Sequence, residues 1–289
     1  MRFALSTNWN NRRLEDGAAI ADEAMALGFD ALELGFSTLP EQIPGIKSRL
    51  DSMPVDSVHA YAPVPIGAPC GSPELHYLVS PDPDERARAR ILLGKTMALA
   101  EDVGAKAVVL HAGRIACGSP FGNLFSRQST RRLRRGLALV DVFRAEVDAL
   151  VPVLEKAHLK LAFENLPYLE AFPNEDEMDA FMKDYAGAPV GAWFDTGHAR
   201  VRFCSKWAPA EAEVARRQLP YVLGMHFNDV KDVHDDHFQP GGGNVDFAAL
   251  AFVAAKEGTI RVVEPNPGVK ADDLRKGLAL LRKLVEPAA

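Results

Sequence analysis

Cysteine is scarce: Cys70, Cys117 and Cys204 stand far apart in a chain of 289 residues and match no thiolate metal spacing. Their odd number and wide separation argue against a disulfide framework and point to reduced thiols in a cytoplasmic protein. Long apolar runs are also missing. No stretch approaches the ~18 apolar residues of a membrane span, and the opening MRFALSTNWNNRR lacks the apolar core of a secretory signal. Positive charge is not in excess either. A formal net charge of −6 disfavours a dedicated nucleic-acid binder, which usually carries a basic face. No low-complexity segment, linker or short repeat divides the chain, so one domain over residues 1–289 is expected. With 47% hydrophobic residues, that domain can bury a large core without disulfides.

What is present is an alternation of short β-type runs with helical patterns. Strands are expected at Arg2–Ser6, Ala31–Gly35, Val55–His59, Lys106–His111, Lys160–Glu164, Val190–Asp195, Tyr221–His226 and Ile260–Glu264. Helices are expected at Leu14–Leu27, closed by Gly28, as a short segment interrupted by Pro44 after the second strand, then at Asp84–Val103, Thr130–Ala157, Glu175–Tyr185, Ala208–Gln218 and Ala271–Leu284. A Pro- and Gly-rich loop, Ala60–Pro81, follows the third strand. Eight near-continuous apolar strands separated by crossovers form the pattern of a (β/α)8 barrel. An open dinucleotide-binding sheet is the competing architecture, but no GxGxxG follows an early strand.

Six of these apolar strands end in a metal-capable residue: His59, His111, Glu164, Asp195, His226 and Glu264. The C-terminal strand ends of such a barrel share one mouth, so residues distant in sequence would converge there. Two motifs add to them. In FDTGHAR, Asp195 and His198 lie three apart across the start of a turn. In HDDHFQPGGG, Asp235 and His237 lie two apart, so an extended segment would point both the same way, with the glycines letting the loop fold tightly against the barrel. Mixed imidazole and carboxylate donors suit zinc, manganese or iron.

From SVHAYAPVP to VVEPNP the chain resembles the xylose isomerase-like barrel superfamily, which includes sugar-phosphate isomerases and epimerases and the endonuclease IV enzymes. The resemblance implies a (β/α)8 TIM barrel binding one to three divalent ions. His59, His111, Glu164, Asp195, His198, His226, Asp235, His237 and Glu264 occupy the positions that hold three metals in the endonuclease branch. Glu164, Asp195, His226 and Glu264 occupy those that hold one metal in the epimerase branch. Glu170, six residues after Glu164, and His198 resemble substrate-hydroxyl ligands of ketose epimerases, although Asp232 stands where those enzymes carry an arginine. The sequence NLPYLE after Glu164 lacks the glycine-rich loop of the endonuclease branch, and the DDH…GGG loop is most similar to that of proteins called sugar-phosphate isomerases or epimerases.

The resemblance implies proton transfer by Glu164 and Glu264 through a metal-stabilised enediolate, on a small sugar or sugar phosphate. A multinuclear zinc phosphoesterase is the alternative. A non-catalytic sugar-binding module is the third reading, and the presence of both Glu164 and Glu264 argues against it.

Five arginines between Ser126 and Gly136 (Arg127, Arg131, Arg132, Arg134 and Arg135) read as a solvated helix start or a subunit contact in preference to a phosphate clamp, and a homo-oligomer is left open. Glu33 is expected to brace a ligand histidine. Lys231 is a candidate contact for a substrate phosphate or carboxylate. Trp9, Phe36 and Tyr61 are placed where a sugar ring would stack or where they simply pack, while His76, His158 and His234 are read as non-ligands.

Overall fold

The computed structural model describes residues 1–114 and 139–285. Eight parallel strands close into a barrel: β1 (Ala4–Ser6), β2 (Ala31–Leu34), β3 (Val55–His59), β4 (Ala107–Leu110), β6 (Lys160–Glu164), β8 (Val190–Asp195), β9 (Val222–Phe227) and β10 (Ile260–Val263). They neighbour one another in chain order, and β10 returns to β1 with Ala4 opposite Val262. All eight expected strands are therefore present. Two further strands of two residues each, β5 (Gly113–Arg114) and β7 (Ala171–Phe172), pair antiparallel above the mouth; they were too short to carry a sequence pattern.

The helices around the barrel are α1 (Gly17–Ala26), α2 (Ile43–Lys47), α3 (Pro83–Asp102), α4 (Leu139–Ala157), α5 (Glu175–Asp184), α6 (Thr196–Cys204), α7 (Glu211–Gln218), α8 (Phe247–Ala254) and α9 (Ala271–Val285). α1 closes on Gly28 at φ 91°, as its C-terminal glycine implied. Two helices were missed by periodicity. α6 begins directly on β8 with no intervening loop. α8 reads FAALAFVA, apolar nearly all round, so it lacks the polar face that marks an amphipathic helix. The first part of the helix expected from Thr130, the arginines between Arg127 and Arg135, and Cys117 lie outside the described residues.

One apolar core fills the space between barrel and helices, and a smaller one plugs the barrel interior. The plug combines small residues (Ala4, Ala31, Ala107 and Ala162) with the indole of Trp193, which is fully buried. Large and small side chains interdigitate to fill a narrow barrel. Trp193 forms the floor of the mouth, its ring centroid 5.2 Å from that of His226. No described helix is long and apolar enough to cross a membrane.

Gly224 on β9 is what admits the indole: a Cβ there would stand 2.1 Å from Trp193 Cζ3. Because Trp193 has no room to withdraw, Gly224→Ala should destabilise the fold by roughly 1–3 kcal/mol through overpacking. Urea unfolding checks this, and an unchanged midpoint would remove Trp193 as the determinant of the floor.

Candidate metal centre

The strand ends converge as expected. Parallel register sets Asp195 beside His226, and Glu164 beside Trp193. His59, Glu164, Asp195 and His226 lie on their strands, while His111 and Glu264 fall one residue beyond β4 and β10. All six are buried, as is His198 in the first turn of α6. Asp195 caps that helix, accepting from the His198 backbone N at 2.7 Å, and its other oxygen accepts from Asn228 Nδ2 at 2.6 Å. A carboxylate at a helix N-terminus satisfies an otherwise free donor.

Glu164 is the hub. Its Oε2 lies 3.1 Å from Nε2 of both His59 and His111, and its Oε1 lies 2.8 Å from His226 Nδ1. Glu264 Oε2 stands 3.2 Å from the same Nδ1, and its Oε1 accepts from Asn8 Nδ2 at 3.1 Å. On its far side, His226 Nε2 faces both oxygens of Glu33 at 3.1 Å, and Ser57 Oγ donates to Glu33 at 2.8 Å. Glu33 thus orients the ring so that Nδ1 faces the three carboxylates Glu164, Asp195 and Glu264, the bracing role expected of it.

Asp235 and His237 arrive from the loop after β9. Asp229 pins that loop, accepting from the backbone N of Val230, Gly241 and Val245 at 2.9–3.0 Å. Gly243 packs so closely that a Cβ would meet Val230 O at 2.3 Å. The expected extended geometry does not hold, because His237 adopts φ 48°. That left-handed turn, rather than strand alternation, brings its Nε2 to 3.3 Å from Asp235 Oδ1, with His198 Nε2 3.6 Å from Oδ2.

Charge is strongly redistributed in this cluster. Burial raises the Glu164 carboxyl, but His226, His111 and His59 outweigh it and hold the group well below its ordinary value. Burial likewise opposes protonation of His226, yet Glu264, Glu33 and Glu164 hold its ring well above the ordinary value. Asp195 is raised, chiefly by burial. His237 is pushed up to about 9: burial lowers it, and Asp235 and Glu264 more than compensate.

Whether a cation fits can be judged from the donors. Ligand atoms of Glu164, Asp195, His226 and Glu264 lie within 4.8 Å of one another, as do those of His198, Asp235 and His237, and those of His59, His111 and Glu164. Three carboxylates gathered on His226 in a buried site, with His59 and His111 reaching only Glu164, are costly to hold together without a compensating cation. A divalent ion with O and N ligands meets that need.

The centre opens into a cavity of about 270 Å³, lined by seven of the nine candidates; His226 and Asp195 sit behind it. Phe36 lines the cavity, whereas Trp9 and Tyr61 are packed in the core and bonded to backbone oxygens of Val269 and His76. Glu170 and Lys231 do not line it; the Lys231 ammonium instead rests 5.0 Å from the Phe238 ring centroid. His76 pairs with Glu85 at 2.9 Å, away from the centre. Tyr168, Asn8 and Glu74 escaped the sequence reading. Tyr168 lines the cavity under the Arg114 guanidinium, and Glu74 ion-pairs Arg114 while lying 3.8 Å from His111 Nδ1. Asn8 follows β1 and obeys the same strand-end rule, but an amide is not a metal-type residue and drew no attention.

A closed parallel barrel with its polar centre at the C-terminal strand ends defines a (β/α)8 protein of the TIM-barrel class. The chain belongs to the xylose isomerase-like TIM barrel family, whose model matches residues 21–284. No curated protein matches it by sequence. Solved structures of like fold include a D-tagatose 3-epimerase-like protein, with 19% identity, 99% of this chain and 97% of that one covered, and a TM-score of 0.73. D-psicose 3-epimerase of Clostridium cellulolyticum H10, solved with D-tagatose, shows 17% identity over 99% and 100% of the two chains, at a TM-score of 0.69. The IolI protein with a zinc atom shows 14% identity over 99% and 98%, at 0.64. At these identities the likeness establishes the fold.

Two outcomes follow from the geometry. Glu33→Gln should leave the fold intact and weaken divalent-metal affinity by roughly 10–100-fold; an unchanged Kd by titration would contradict the bracing role. In metal-free protein, the raised His237 pKa means that its pairing contributes fully below about pH 6.5, the ordinary histidine value, and is lost as pH rises through about 9. The stability difference between wild type and His237→Ala should therefore shrink from pH 6 to pH 10, roughly. A constant or widening difference would contradict it.

Proposed function

We propose that the protein is a divalent-metal-dependent isomerase or epimerase of a small sugar or sugar phosphate, working by proton transfer at carbon. The observation that carries this reading is the placement of Glu164 and Glu264. They rise from β6 and from the end of β10, both border the cavity, and both turn one oxygen to His226 Nδ1, at 2.8 and 3.2 Å. Each keeps its second oxygen beside groups of the cavity wall, His59 and His111 for Glu164 and Asn8 for Glu264.

A divalent ion held by Glu164, Asp195, His226 and Glu264 would draw charge from adjacent carbonyl and hydroxyl oxygens of a sugar and so acidify the proton on carbon. The residues of the chain then divide the remaining work. One carboxylate takes the proton and the other returns one from across the cavity, at Glu164 Oε2 and Glu264 Oε1. His198, its Nδ1 anchored by Asn165 O at 2.8 Å, presents Nε2 for a substrate hydroxyl. Phe36, Tyr168 and four prolines (Pro73, Pro167, Pro265 and Pro267) supply the apolar walls that keep bulk water from the exposed carbon. The epimerases of like fold support the sugar reading, and the zinc atom in IolI supports the ion.

An endonuclease IV-like hydrolase is the second reading, favoured by the His198–Asp235–His237 group, which a one-metal isomerase does not require. One metal-loaded preparation should be assayed on ketoses and on abasic duplex DNA. The expected result is ketose interconversion, with Glu164→Gln and Glu264→Gln each keeping the fold and lowering kcat by about 10²–10⁴-fold per bound ion, the metal content of each variant being measured. Strand cleavage that depends on Asp235 and His237 would instead establish the hydrolase.

A further inference from the structure

Arg12 lines the cavity that Glu164 and Glu264 border, and among the described residues it has no ion-pair partner. The other cations around the mouth are engaged. Arg13 pairs with Glu23 and covers the Trp9 ring, Arg114 pairs with Glu74, and Lys231 lies over Phe238 outside the cavity. The acids of the mouth have partners of their own. Asp235 faces His198 and His237, Glu264 faces Asn8 and His226, and Asp236 accepts from the Lys231 backbone N at 3.0 Å.

The backbone carrying Arg12 is held firmly. Asn10 donates to Ile20 O at 3.1 Å, Asn11 donates to Ser37 Oγ at 2.8 Å, and Gln42 donates to Asn11 O at 2.8 Å. Neighbours on both sides are thus bonded into the barrel, and only the Arg12 side chain is left over, exposed at the cavity rim. A guanidinium in that state has the forked donor set that binds a carboxylate or phosphate with two parallel hydrogen bonds.

We infer that the substrate carries an anionic group at the end remote from the reacting carbon, and that Arg12 reads it. This rests on the sugar reading above and adds the charge of the substrate. A neutral sugar has hydroxyl partners in His198 and the centre itself, and offers the Arg12 guanidinium no carboxylate or phosphate to engage.

The test is calorimetric titration of metal-loaded wild type, Arg12→Ala and Arg12→Lys with D-fructose, D-fructose 6-phosphate and D-fructuronate at one fixed salt concentration. Wild type should bind one or both anionic ketoses at least about tenfold more tightly than D-fructose, as charge-assisted bonds at a solvent-open rim imply. Which one gains tells phosphate from carboxylate. Arg12→Ala should remove that preference while leaving D-fructose affinity unchanged, and Arg12→Lys should keep part of it. Equal binding of all three by wild type, or a preference that survives Arg12→Ala, overturns the assignment. Arg12-dependent binding of the anions with no measurable D-fructose binding would also support the assignment, the anionic group then carrying most of the affinity. No binding of any of the three would overturn both the assignment and the sugar reading.

Discussion

The structure turns on a surplus of buried negative charge at the end of a barrel. Glu33, Glu164, Asp195 and Glu264 are all buried around His226. Facing these carboxylates, the rings of His226 and His198 are held well above their ordinary values despite burial. Burying charge is tolerated where each group is paired, and a protein gains nothing in stability by assembling so many when an apolar mouth would serve. A cation at the shared focus of these carboxylates would satisfy them together and would free the imidazoles to act as neutral ligands.

Around that focus the fold works as a set of supports of decreasing stiffness. Trp193 and the small residues of the plug fix the floor. Glu33 and Ser57 hold His226 from below, Asn228 and the start of α6 hold Asp195, and Asn8 holds Glu264. Asp235 and His237 depend on a long loop secured by Asp229 and a left-handed turn, and the Asp235 side chain remains about a third exposed. The inner four candidates are therefore preorganised by strands, and the outer pair by a loop. This gradient suits the proposed function, in which an inner ion would serve the chemistry and the outer group would add a further ion or shape the substrate.

Much of this was legible in the sequence because both signals are simple. Buried parallel strands read as apolar runs, and a functional barrel ends those runs with polar residues; His59, Glu164 and Asp195 could be placed to the residue. Glu33 was legible as a brace for the same reason. What escaped was either short, uniform or chemically unmarked. β5 and β7 are two residues each, α8 has no polar face, and α6 follows its strand without a break. Tyr168 and Glu74 sit in loops whose path depends on tertiary packing, so no local pattern marks them as neighbours of the site. The His237 turn shows the limit most directly: spacing of two suggested alternation, while the backbone reached the same contact by φ 48°.

Whether the strand-end carboxylates and His226 hold a divalent ion decides the proposed chemistry. Anomalous scattering from crystals of the purified protein, after metal analysis of the same sample, tests it most directly. An ion peak bounded by Glu164, Asp195, His226 and Glu264 is expected, with any further ion at His198, Asp235 and His237. Crystals soaked in zinc or manganese that show no peak within the inner four, in a protein of undiminished stability, would contradict it.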